Sequence, residues 1–88
     1  MDDPVGSITF TDHAREMLIE RGIEEDWVIR TLRDPDVLEN DPKREGRVRA
    51  FRAVPEREER VLRVVFERSG STYHVVTCFL DRGRRRKP

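Results

Sequence analysis

Eighty-eight residues suffice for one domain, and a composition of 35% apolar and 41% charged residues leaves that domain only a thin core. Eighteen basic and eighteen acidic residues cancel, which argues against the self-repelling chains that stay disordered. No apolar run of about 20 residues predicts a membrane span, the lone Cys78 excludes an internal disulfide, and no Cys/His set has zinc-ligand spacing.

Ser7–Phe10 reads as a short strand, after which Thr11 or Asp12 offers the oxygen that caps a helix. The helix is expected over Asp12–Arg21, stopped by Gly22. Ala14, Met17 and Leu18 form its apolar stripe, with His13 on one flank and Arg15 on the other. Arg21 falls in the centre of the stripe one turn later, so it must reach water or pair, with Asp34 or Asp36 as partner. A second helix over Glu24–Arg33 puts Trp27, Val28, Thr31 and Leu32 on one side, and Asp34-Pro35 ends it. Glu24, Glu25 and Asp26 in its first turn complement the macrodipole.

The remainder reads as strands. Val37–Glu39 is short, Arg47–Val54 is mixed in character, and Pro55–Arg60 is a polar turn. Val61–Glu67 and Tyr73–Leu80 flank the hairpin turn Ser69-Gly70-Ser71. This order predicts an α+β domain: a short N-terminal strand and two helices packed on one face of a four- to five-stranded antiparallel sheet. The domain is expected over residues 1–81, with 82–88 a basic, flexible tail. Trp27, Leu32, Met17 and Phe66 belong in the core, and Cys78 is expected to pack there too, since apolar surroundings mute a thiol.

Alternation places Leu62, Val64 and Phe66 toward the helices and Val61, Arg63 and Val65 away from them. Tyr73 and Thr77 fall on one face of the last strand and His74 on the other. With Arg49 and Arg52 on the neighbouring strand, the open face is expected to be basic and to carry an aromatic. Charge is split along the chain as well. Met1–Asp41 holds twelve acids against four arginines, and Pro42–Pro88 holds fourteen basic residues against six acids. The basic half calls for a polyanion such as RNA or the ribosome, and the acidic half for a basic protein. A second copy of the chain is a further expected partner, because it would thicken the core. No leader of charged then apolar residues opens the chain, so a cytoplasmic location is expected.

Four segments in order carry a resemblance: Thr11–Ile23 (T-D-H-A-R-E-M-L-I-E-R-G-I), Asp34–Asp36, Leu62–Phe66 and Val75–Arg82. Together they resemble a bacterial domain-of-unknown-function family grouped with the barnase–EndoU–colicin–RelE nuclease superfamily, over about Ile8 to Arg82. The resemblance implies a RelE-like fold and relatives that are metal-independent RNases, often the toxins of toxin–antitoxin pairs. The expected function is therefore a small RNase needing no cofactor, with an antitoxin as a partner. Two alternatives stand beside it: a non-catalytic RNA- or ribosome-binding module, and a protein-interaction domain.

RNA cleavage without metal needs a base for the 2′-OH proton, an acid for the leaving 5′-oxygen, and cations for the phosphorane. His13 matches the motif histidine and is the first candidate; the plainer reading is a solvated histidine near a helix start. Arg63 and Thr77, on neighbouring strands, come next. Arg15, Arg49, Arg52, Tyr73, Arg82, Arg84, Arg85 and Arg86 are the expected RNA contacts, with Lys87 in the same tail. His74, facing away from Thr77 on strict alternation, is expected to be structural.

Overall fold

A computed structural model describes residues 6–85, with backbone alone at 84 and 85. Strand β1 (Ser7–Phe10) leads into helices α1 (Asp12–Arg21) and α2 (Glu25–Arg33); then follow β2 (Val37–Asn40), β3 (Arg47–Val54), β4 (Arg60–Ser69) and β5 (Thr72–Arg85). One five-stranded sheet has the order β1-β5-β4-β3-β2. The four later strands form an antiparallel meander. The α+β class and the two helices are as the sequence predicts, but the sheet is mixed, because β1 lies parallel to β5. The partner of β1 is 65 residues away (Ser7 opposite Thr72), and no local periodicity encodes it. Gly6 permits the approach: a Cβ there would sit 2.5 Å from the Ser71 carbonyl oxygen.

Helix α1 starts where Thr11 turns its hydroxyl to accept from the Ala14 amide, and it stops at Gly22, whose left-handed φ of 62° returns two amides to the last carbonyls. Ala14 and Leu18 are buried, with Met17 partly so. Helix α2 buries Trp27, Val28, Thr31 and Leu32, and Thr31 Oγ1 donates to the Trp27 carbonyl at 2.8 Å. These side chains meet Leu62, Val64 and Phe66 of β4 and Tyr73, Val75 and Cys78 of β5 in one core. Burial pushes the Cys78 thiol up to about 11, so at neutral pH it carries no thiolate.

The other sheet face is not bare. Phe51, Ala53, Val61 and Val65 are buried there, beneath side chains described below. The faces of β5 are set by a β-bulge. Val65 pairs with Thr77 and Phe66 with Val75, so Val76 is an extra residue in β5. The extra residue inverts the parity of everything before it. Tyr73 therefore faces the core, 5.2 Å from Phe66 between ring centroids, and His74 shares the open face with Thr77. Both placements correct the alternation expected from the sequence.

Beyond Leu80, where the sequence reading ends the last strand, β5 runs on through Arg85, which pairs with Arg60. Residues 86–88 lie outside the described residues. The β3–β4 connection begins with a 3₁₀ turn, Pro55–Arg57, and closes through Glu58 and Glu59, both left-handed at φ 58° and 64°. Two such non-glycine residues cost about 1–2 kcal/mol each. They are held by amide bonds from Glu58 to the Pro55 carbonyl and from Glu59 to the Val54 carbonyl.

The same connection is tied to α2. Arg30 donates both terminal nitrogens to the Glu56 carboxylate at 3.0 and 2.9 Å, and these bonds hold the Glu56 carboxyl down at about 2. A carboxylate depressed in the folded state stabilises the fold above its unfolded pKa, ordinarily 4.5 here. That contribution is lost as pH falls toward the folded value. Urea unfolding between about pH 5 and pH 2 is therefore expected to give a shallower loss of stability for Glu56→Gln than for the native chain. Equal slopes would show that the pair adds nothing.

Candidate functional site

β1 covers the edge of β5 only as far as Val75. At Thr11 the chain leaves the sheet, its amide donating to the Val75 carbonyl at 3.0 Å and its hydroxyl to the Val76 carbonyl at 2.9 Å. This double anchor starts α1 directly against the β5 edge. His13, in the first turn, thereby comes over the bulge, and its Nε2 lies 3.1 Å from Thr77 Oγ1. His13 is exposed and Thr77 half-buried. Two candidates 64 residues apart are thus brought together.

Arg63 shares the open face with Thr77. It pairs in register with Phe79, and Thr77 with Val65, which makes Arg63 and Thr77 diagonal neighbours about 7–8 Å apart at the backbone. Its guanidinium turns elsewhere. It donates to Asp81 Oδ2 from Nε at 3.2 Å and from the terminal nitrogen at 2.8 Å. It also stacks over the Phe51 and Phe79 rings, 5.3 and 5.0 Å from their centroids. Only 24% of its side chain and 13% of that of Asp81 are exposed. Arg63 is thus a neutralised lid over the open-face apolar patch rather than a free cation beside His13.

The remaining candidates scatter. Arg15, two residues beyond His13 and so turned about 200° from it around α1, lies over the Phe10 ring at 5.2 Å and 3.9 Å from Glu25. Arg49 is on the open face, opposite Val65, its Nε buried without a hydrogen-bond partner among the described residues. Arg52 faces the helices instead, donating to the Asp34 carbonyl and carboxylate at 2.6 and 3.1 Å. That bond, and the bond of Asp36 to the Ala53 amide, remove both partners expected for Arg21. Tyr73 is buried, with Arg68 over its ring at 4.7 Å, and offers no base-stacking surface. His74 is exposed and bonds Thr9 through Nδ1 at 2.6 Å. Arg82 is exposed near the end of β5; the side chains of Arg84 and Arg85, and the whole of Arg86, lie outside the described residues.

Sequence reasoning missed a cluster of arginines. Arg21, Arg57, Arg60 and Arg82 line a cleft of about 100 Å³ beside Leu80. They come from four separate segments, so no motif announces them. Among the described residues no group of three or more His, Cys, Asp or Glu could hold a metal ion. No helix there is long and apolar enough to cross a membrane.

Fold and site together define a small α+β domain whose opening helix delivers a histidine to the bulged edge of its closing strand. The chain belongs to the family described as domain of unknown function DUF4258, whose model matches residues 10–79. That span takes in both His13 and Thr77. No curated protein and no solved structure matches the chain.

Proposed function

We propose that this domain is a metal-independent endoribonuclease in which His13 transfers the proton. The observation that carries the reading is the 3.1 Å contact of His13 Nε2 with Thr77 Oγ1, at the exposed start of α1. The earlier resemblance to the barnase–EndoU–colicin–RelE superfamily points the same way. With the ring proton on Nε2 donated to the Thr77 hydroxyl, Nδ1 is left with a lone pair. That nitrogen takes the proton of a ribose 2′-OH as the oxygen attacks phosphorus. The P–O5′ bond breaks, water supplies the proton to the departing 5′-oxygen, and a 2′,3′-cyclic phosphate remains. Thr77 fixes the tautomer and the ring plane.

The excess of acids over residues 1–41, twelve against four arginines, supports a basic protein partner, in keeping with a toxin held by an antitoxin. One observation favours a second reading. Arg63 is already paired with Asp81, so the sheet cation that would meet the phosphorane is spent, as in a domain that binds RNA or the ribosome without cutting. Incubation of the purified chain with total RNA in EDTA separates the two. Cleavage products with cyclic phosphate ends support the nuclease, whereas retention of intact RNA supports the binding module.

A further inference from the structure

The arginine cleft at the other end of α1 is a site of its own. Arg21 ends that helix, Arg57 lies in the 3₁₀ turn, Arg60 opens β4 and Arg82 lies near the end of β5. Every charged side chain lining the cleft is cationic, and the fifth lining residue is Leu80. Four guanidinium groups repel one another, and a fold gathers them at a concave point at a cost that an anion removes. Arg57 is positioned by the helix it faces, its terminal nitrogen donating to the Arg21 and Gly22 carbonyls at 3.5 and 3.3 Å. That contact also cancels the negative end of the α1 dipole, which would otherwise oppose an anion. The left-handed pair Glu58 and Glu59 bends the chain so that Arg57 and Arg60 both reach the cleft. Strain retained in non-glycine residues beside a charged cleft is characteristic of functional sites.

From this geometry we propose that Arg21, Arg57, Arg60 and Arg82 form a binding site for a single phosphate group. A cleft of about 100 Å³ has room for an oxyanion, since one water needs only about 10–15 Å³ on the same measure. Arginine forks suit the oxygens of a phosphate in a way that lysine points of charge do not. The phosphate of an RNA strand is the preferred source, a choice that rests on the function proposed above. His13 and Arg21 mark the two ends of one helix, eight residues and so about 12 Å apart. A strand passing His13 along α1 would therefore set a phosphate further along its backbone into the cleft.

Inorganic phosphate is the first probe, titrated into the labelled full chain while amide resonances are followed. Saturable shifts confined to the neighbourhood of Arg21, Arg57, Arg60 and Arg82, absent from the double variant Arg60→Gln, Arg82→Gln, are expected. Shifts that never saturate, or that spread over all arginines alike, overturn the site. Should the double variant unfold at a lower urea midpoint, Arg21→Gln, at an exposed helix position, repeats the test. The second probe is a single-stranded RNA oligonucleotide bound at several salt concentrations. Loss of one phosphate contact should lower the slope of log K against log salt by about 0.7. An unchanged slope, with the phosphate shifts intact, assigns the cleft to free phosphate compounds and rejects the RNA strand. Neither readout requires cleavage, so failure of the nuclease reading leaves this test in force.

Discussion

His13→Ala is expected to lower the single-turnover cleavage rate of a defined oligonucleotide in EDTA by roughly 100- to 10,000-fold, the usual contribution of a general acid or base. RNA affinity should stay nearly as it was, since a neutral imidazole adds little to phosphate binding. The fold should also stay intact, because His13 is exposed and α1 is capped by Thr11 rather than by its neighbour. Thr77→Val is the companion variant. It removes the hydroxyl that orients the ring while keeping the shape of a half-buried β-branched residue. A smaller loss of rate is expected from it, with affinity again unchanged. Equal cleavage by the native chain and His13→Ala would refute the assignment, and RNA bound without cleavage by the native chain would favour the binding module.

Val75→Asp is expected to have the largest effect on stability. The bulge turns Val75 into the core, where it is 0% exposed. The substitution forfeits that apolar burial, about 1.5–3 kcal/mol, and puts a carboxylate in its place at a further cost of several kcal/mol. A domain of this length has roughly 4–13 kcal/mol in total, and urea unfolding should show a midpoint shifted far toward zero denaturant. Val76→Asp, at the extra residue of the bulge and only partly buried, should lose far less. In a straight strand the two positions would exchange faces, so a larger loss from Val76→Asp would refute the bulge.

These two residues also show where sequence reading succeeds and where it stops. The helices were legible because their signals are local: a capping hydroxyl at Thr11, a glycine at position 22, and the apolar spacing of Trp27, Val28, Thr31 and Leu32. The inward set of β4 was legible for the same reason. The bulge was not, since Val75-Val76-Thr77 satisfies a straight strand as well as a bulged one, and the faces of Tyr73 and His74 were inverted in consequence. Thr77 nonetheless stood on the expected face, because it follows the bulge. The proximity of His13 to Thr77, the turn of Arg52 toward Asp34, and the four-arginine cleft all depend on pairings between distant segments. Composition could register sixteen arginines but not which of them find carboxylates.

The parallel pairing of β1 with β5 carries a consequence in time. The first strand's partner is the last of the five described strands to be made, 65 residues later (Ser7 opposite Thr72). At the 5–20 residues per second of protein synthesis, that is a wait of about 3–13 s, against microseconds for a hairpin to close. Throughout that interval β1 and α1 have no sheet edge to lie on, and His13 has no Thr77 to meet. The meander can assemble progressively behind them, but the proposed site comes into being in a single late event. A nascent chain lacks the His13–Thr77 contact until β5 has been made.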